Sequence, residues 1–166
     1  MGRSMADMVY TVVPVFSVVL TGLFAGLFFA FSTAVMPGLG RSGDRTMIEA
    51  MQGINIAILN PFFAVVFIGA PVLLLGQTLL YWAAGRTDST WWAGTASALL
   101  ILVLVVTFAV NVPRNNALDR AGTVDRLADP ATVRDGFEKV WVRWNHLRTL
   151  ASAAALLCTA LAVTLA

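Results

Sequence analysis

The chain has 166 residues, of which 58% are hydrophobic and only 12% are charged, with a formal net charge of +2. Soluble domains are about half apolar and roughly a quarter charged, so this composition excludes an ordinary soluble domain and predicts an integral membrane protein. The single cysteine, Cys158, excludes an intramolecular disulfide and a redox centre of paired thiols.

Four stretches are apolar and long enough to cross a bilayer, which takes about 20 residues. They are residues 10–36, 61–84, 91–111 and 147–165. The first apolar run is too long for a signal peptide, so we expect a retained span. The four spans and their loops predict one all-α domain over residues 1–166, an integral membrane four-helix bundle.

The basic residues divide unevenly between the two sides of this bundle. Arg3 and Arg86 fall on the side of the termini, whereas nine fall in or beside loops one and three: Arg41, Arg45, Arg114, Arg120, Arg126, Arg134, Lys139, Arg143 and Arg148. The positive-inside bias therefore predicts cytoplasmic loops one and three, with both termini outside the cell membrane. Acidic residues accompany many of these bases, so no nucleic-acid partner is expected.

Loop one carries its own helical pattern between the first two spans. We expect the first span to end at Met36-Pro37-Gly38, because proline cannot continue a helix. Asn60 followed by Pro61 is typical of a helix cap and its first residue, here for the second span. Between them, apolar residues recur with a helical period and predict an amphipathic helix along the membrane interface: Met47, Ile48, Met51, Ile54 and Ile58.

The third helix is expected to bend, and the fourth is expected to be longer than the membrane is thick. Pro113 removes a backbone donor and predicts a bend at the end of the third. Asp129 and Pro130 predict the start of a fourth helix that runs from about residue 130 to 165. Its length of roughly 50 Å exceeds the hydrocarbon thickness of about 30 Å, so we expect its first turns to project into the cytoplasm.

A polar stripe lies where this fourth helix enters the membrane. Trp141, Asn145, Arg148 and Ser152 share one helical face, with His146 on its flank. Because a charge facing lipid costs several kcal/mol, we expect this face to look into the bundle. The predicted topology brings four further residues to the same depth, and together they predict a pocket: Asn55, Asn60, Asn111 and Asn115.

Each of these residues also has a plainer interpretation. Trp141 and Trp144 are typical of an interfacial aromatic belt, and Arg148 of a side chain that snorkels to water. His146 is compatible with a satisfied interfacial histidine, and the asparagines with helix caps or hydrogen bonds between helices. One histidine without carboxylate or cysteine neighbours predicts no metal site within one chain; a metal held between chains of a homo-oligomer stays open.

Four motifs, in this order, resemble the anthrone oxygenase-like family of small four-helix membrane proteins: "AGLFFAFSTAVMPGL", "MQGINIAILNPFF", "NVPRNNAL" and "WNHLRTLAS". The resemblance covers residues 22–153. It implies oxidation of an anthrone, or a related aromatic or quinol substrate, by dioxygen as co-substrate and without a bound cofactor. The implied partners are a hydrophobic aromatic small molecule and the lipid bilayer.

The resemblance also implies roles for the polar cluster. His146 is suited to act as the general base, since an imidazole exchanges protons near neutral pH. Arg148 and Asn145 are suited to stabilise an oxyanion. The expected substrate-binding residues are Asn55, Asn60, Asn111, Asn115, Trp141 and Trp144. The alternative is a non-catalytic membrane protein that binds a lipid or a protein partner and uses this cluster to join its helices.

Overall fold

The computed structural model describes residues 5–166, and in that part of the chain every regular element is helical. Arg3, which entered the charge count, lies outside the described residues. The α-helices in chain order are α1 (Met5–Ala30), α2 (Met36–Leu39), α3 (Asp44–Ala57), α4 (Pro61–Ala83), α5 (Thr87–Val106), α6 (Val112–Arg120) and α7 (Pro130–Thr164). Two π-helical turns and one 3-10 turn complete them: Phe31–Val35, Thr107–Asn111 and Val124–Arg126.

Four continuous helical rods are long and apolar enough to cross a membrane, which confirms the all-α four-span prediction. They are Met8–Leu39, Pro61–Ala83, Thr87–Arg120 and Pro130–Thr164. The third extends nine residues beyond the predicted end at residue 111, because α6 follows α5 after the π-helical turn, and it begins four residues earlier than predicted. The fourth begins at Pro130, as predicted. At its start Asp129 accepts hydrogen bonds from the hydroxyl and the N–H of Thr132, and these lower the pKa of the Asp129 carboxyl.

The two π-helical turns explain how the first and third spans pass their prolines. Pro37 and Pro113 each stand two residues after a π-helical turn. In these turns the Met36 N–H donates to Phe31 O, and the Val112 N–H donates to Thr107 O, five residues back. This wider turn accommodates a residue that lacks an N–H and crowds the carbonyl four residues earlier. The expectation that the first span ends at Met36-Pro37-Gly38 was therefore wrong, since the helix runs on to Leu39.

Two large apolar clusters and a small third one, formed by Tyr81, Ala93 and Ala162, build the interior of the described residues. The larger lies among the spans and contains buried residues of α1, α4, α5 and α7: Phe24, Phe28, Phe67, Ala70, Leu74, Ala96, Leu100, Val103, Ala151, Ala155 and Cys158. The second large cluster lies beyond them, under α3, and contains Met36, Met47, Ile48, Met51, Leu118, Phe137 and Trp141. The predicted amphipathic helix of loop one is thus present as α3. Its apolar face is covered by α6 and α7 rather than by lipid.

Arg134 on α7 fixes the connection between α2 and α3. Its guanidinium donates to Ser42 O at 2.9 Å and Gly40 O at 3.0 Å. It also pairs with Asp44 at 2.9 Å and Glu138 at 2.6 Å. Because two of these partners are backbone carbonyls of the connecting segment, Arg134 holds loop one against the projecting part of α7.

We expect Arg134→Ala to lower the unfolding free energy by on the order of 2 kcal/mol, since several charge-assisted hydrogen bonds are lost together. Lys139→Ala is the matched control: its side chain is 83% exposed and its pair with Asp135 spans 3.5 Å, so its loss should be close to zero. Thermal unfolding of the purified proteins in detergent measures both. Equal unfolding temperatures for the two variants would contradict this role.

Candidate functional site

A cavity of about 320 Å³ lies between the first span, α3, α4, the third span and α7. We call it the aromatic cavity, because six aromatic side chains line it: Phe28, Phe31, Phe63, Phe67, Phe108 and Trp141. Its polar lining consists of Asn55, Thr107, Asn115, Asn116, Asp119, Asn145 and Arg148. Ligand pockets commonly measure about 300–1,000 Å³, so this cavity suits a small ligand with aromatic rings and few polar groups.

Arg148 is the one positively charged side chain in that lining, and it is 4% exposed. Its two terminal nitrogens donate to Thr107 Oγ1 at 3.3 Å and to Asn145 Oδ1 at 2.9 Å. The guanidinium carbon lies 4.6 Å from the ring centre of Phe28 and 5.2 Å from that of Trp141. In the described part of the chain it forms no ion pair, and its Nε has no hydrogen-bond partner.

A buried cation that lacks a carboxylate partner is costly, and the rings and neutral acceptors around Arg148 offset only part of that cost. A negatively charged or strongly polarised oxygen in the cavity would complete its coordination. Arg148 is therefore suited to hold a carbonyl oxygen of a ligand, and to stabilise that oxygen when it becomes an anion.

Asn145 sets the position of Arg148. Its Nδ2 donates to Phe28 O at 3.1 Å and to Ser32 Oγ at 2.8 Å, and its Oδ1 accepts from Arg148. The side chain is 1% exposed, and its donor and acceptor atoms are both used. Asn145 thus connects the first span to the guanidinium and limits the directions in which the guanidinium can turn.

His146 lies outside the aromatic cavity, on an exposed flank of α7. Its Nδ1 is 3.0 Å from Ser32 Oγ, which is itself 2.7 Å from Thr149 Oγ1. Because Ser32 also accepts from Asn145, a path of hydrogen bonds joins His146 to Arg148 through two intervening side chains. The imidazole therefore touches the network that orients Arg148, but not the space that a ligand would occupy.

Two of the predicted asparagines line the aromatic cavity. Asn115 Oδ1 accepts from Trp141 Nε1 at 2.8 Å and so holds the indole ring against the cavity. Asn55 Nδ2 donates to Asp119 Oδ1 at 3.1 Å, at the end of the cavity next to α3. With Trp141, Asn145 and Arg148, these make five predicted residues that the structure brings together.

The other predicted binding residues are placed elsewhere. Asn111 is buried and donates to Trp141 O at 3.2 Å, but does not line the cavity. Asn60 accepts from the Phe63 N–H at 3.0 Å and caps α4. Trp144 is half-buried, also outside the lining. For Asn60 the geometry matches the capping alternative, and Asn111 bonds across two helices.

Asp119, Asn116 and Thr107 also line the cavity, although none of them was among the predicted site residues. Asp119 is the only carboxylate there. Its spacing of four residues from Asn115 places both on one face of α6, and this was the available signal. Thr107 sits in an otherwise apolar stretch, where threonines commonly bond to their own helix, so it gave no signal of its own.

A family model described as anthrone oxygenase matches residues 62–158 of the chain. The matched segment runs from α4 into α7 and contains Thr107, Asn115, Trp141, Asn145 and Arg148. No curated protein matches the chain, and no solved structure does.

We expect Asn145→Ala to lower the thermal stability of the purified protein clearly, because it removes two hydrogen bonds to the first span and a partner of a buried charge. Each such loss costs about 1–3 kcal/mol. Asn116→Ala is the matched control, since Asn116 lines the same cavity but is exposed. An Asn145→Ala protein as stable as the Asn116→Ala protein would show that the network does not hold the first span to α7.

Proposed function

The chain belongs to the anthrone oxygenase family, and we propose that it is a membrane oxygenase for an anthrone-like or related aromatic or quinol substrate. In this proposal dioxygen is the co-substrate and no bound cofactor takes part. The observation that carries the proposal is Arg148, a buried guanidinium without an ion pair in the described residues, which faces a cavity walled by aromatic rings.

The proposed reaction needs no reductant beyond the substrate itself. An anthrone has a CH₂ group opposite its carbonyl across the central ring. Loss of one proton from the CH₂ gives a phenolate-like anion, which passes an electron to dioxygen and then combines with it as a peroxide. Breakage of the O–O bond with loss of water leaves a second carbonyl. Four electrons leave the carbon, and dioxygen ends as one carbonyl oxygen and one water.

Arg148 supports this chemistry at the carbonyl oxygen, where the negative charge of the anion collects. Donors fixed in a dry site stabilise such a charge far more than water does. Asn145 and Thr107 keep the guanidinium in place, and other aromatic side chains of the lining, among them Phe31, Phe63 and Phe108, suit a flat ring system. The proton released by the CH₂ passes to water that enters beside Asp119, at the polar end of the cavity.

For His146 we propose a positioning role in place of the general base. Its hydrogen bond to Ser32 connects it to Asn145 and Arg148, whereas a general base needs to reach the proton that it removes. The hydrogen bonds of Ser32, Asn145 and Thr149 between the first span and α7 equally support the alternative function, a non-catalytic protein in which the cluster joins helices. The activity measurement below separates the two functions.

We expect Arg148→Met to lower the rate of anthrone oxidation by about 10²–10³, the usual cost of losing an oxyanion donor. Arg148→Lys should recover only part of it, because an ammonium lacks the planar fork of Arg148. His146→Ala should cost less than about tenfold, well below the 10²–10⁴ typical of a lost general base. The rate is followed in proteoliposomes by absorbance of the anthraquinone and by uptake of dioxygen.

Arg143→Met is the matched control, since Arg143 is an exposed arginine on the same helix. All variants are compared at equal amounts of folded protein. A wild-type protein that does not accelerate the reaction would favour the non-catalytic alternative. A loss at His146 as large as the loss at Arg148 would return His146 to the role of base.

We further propose that the protein lies in the cell membrane with both termini outside and loops one and three in the cytoplasm, as the basic residues of these loops favour. In a Cys158→Ala background, Asp88→Cys should react with a membrane-impermeant maleimide on intact cells. Thr123→Cys should react only after the cells are opened. Both positions are exposed and lie at opposite ends of the third span, so the reverse pattern would invert the topology.

A further inference from the structure

The exposed part of the lining of the aromatic cavity contains residues of two kinds, polar and apolar. At the end next to α3 its lining includes Asn116 and Asp119, which are polar and exposed. On one side of the bundle its lining includes Leu59 and Phe108, which are apolar and 78% and 62% exposed. A ligand therefore has two candidate routes, a polar end and an apolar side opening.

The two exposed apolar residues of the lining lie in or next to helices that can span a membrane. Phe108 belongs to the third span and stands twelve residues before its last residue, Arg120. At 1.5 Å per residue this places Phe108 roughly 18 Å inside the end of that helix. Leu59 stands two residues before Pro61, where the second span begins. Phe108 thus lies within the apolar part of the third span, and Leu59 lies just before the second span.

Aromatic side chains contact one another in the apolar part of the lining. The rings of Phe67 and Phe108 meet edge to face, with centres 6.1 Å apart, and Phe63 stacks on Phe67 at 4.8 Å. Side chains of this kind have no hydrogen bonds to break when they move.

The polar end is held by hydrogen bonds instead. Gln52 on α3 donates from Nε2 to Leu118 O at 2.9 Å and to Gly122 O at 3.0 Å. One turn further along α3, Asn55 donates to Asp119 at 3.1 Å. Two of these bonds tie α3 to α6 and the third ties α3 to the turn after α6, so separating α3 from α6 to admit a ring system would require them to break.

We infer that the ligand enters the aromatic cavity sideways from the bilayer, between Leu59 and Phe108, and not through the polar end. The chemical class of the ligand, a flat apolar molecule dissolved in lipid, rests on the proposed function. The route itself rests on the different contacts of the two openings. Water and protons use the polar end, where Asp119 and Asn116 stay hydrated.

The test blocks each route in turn and measures ligand binding without turnover. Leu59→Cys and Asn116→Cys are made in a Cys158→Ala background, because the native thiol is buried in the bundle. Each protein is modified with the same bulky, non-fluorescent maleimide and reconstituted into vesicles. The probe is 1,8-dihydroxyanthraquinone, a stable molecule that resembles the oxidised product. Stopped-flow quenching of tryptophan fluorescence gives its association and dissociation rates.

Modification at Leu59 should slow association about tenfold, and modification at Asn116 less than twofold. Because a blocked entrance slows exit as much as entry, the dissociation rate should fall with it and the affinity should stay nearly constant. A damaged cavity would instead change the affinity, so the two effects are separable. The unmodified cysteine variants control for the substitutions themselves.

Slower association on modification at Asn116 but not at Leu59, or no effect at either position, would overturn the inference. A wild-type protein that binds the probe with this pattern but does not oxidise an anthrone would refute the oxygenase and leave the route supported. A wild-type protein that does not bind the probe would refute both the proposed ligand class and its route.

Discussion

Arg148 has to keep its positive charge among apolar residues in a part of the bundle with little water, and much of the surrounding sequence follows from that constraint. An unpaired charge in such a place costs several kcal/mol. Two neutral acceptors, Thr107 and Asn145, and the faces of two aromatic rings surround the guanidinium. Asn145 is in turn held by the first span. The positions of three spans relative to one another are thus coupled to the placement of one charge.

The two π-helical turns provide the backbone for this arrangement. One contains Phe31 and Ser32, and the other contains Thr107 and Phe108, so both contribute side chains to the cavity or to the network beside it. Each accommodates a proline that would otherwise break the hydrogen bonding of a helix buried in lipid. Because a π-helical turn rotates the helix beyond it, the residues on either side of the turn no longer follow one regular stripe. Such turns are frequent at functional sites.

The spans, the long α7 and the polar stripe could be predicted from the sequence, because apolar length and helical period depend on local chemistry alone. The stripe of Trp141, Asn145 and Arg148 is buried as expected, since its polar groups had no favourable position in lipid. Periodicity shows that a face is apolar but not what covers it, so the sequence predicts the helix α3 but not that α6 and α7 pack on its apolar face. His146 directly follows Asn145 in the sequence. Its angular position on the helix does not by itself show whether its side chain faces the cavity or the outside of the bundle. Asn60 and Asn111 were predicted at the same depth as the cavity but do not line it. The direction in which such side chains point depends on tertiary packing, which the sequence does not show.

The buried charge of Arg148 also explains how the proposed reaction would retain its charged intermediate while neutral substrate and product exchange with the lipid. In the proposed reaction a neutral anthrone passes from lipid into a cavity that is walled largely by apolar side chains. Once it loses its proton beside Arg148, the anion is stabilised there and cannot return to hydrocarbon without a large electrostatic cost. The anion therefore stays in the cavity while dioxygen, which is small and soluble in lipid, arrives. Oxidation removes the negative charge, the quinone loses the strong interaction with the guanidinium, and a neutral product can leave by the route through which the substrate came.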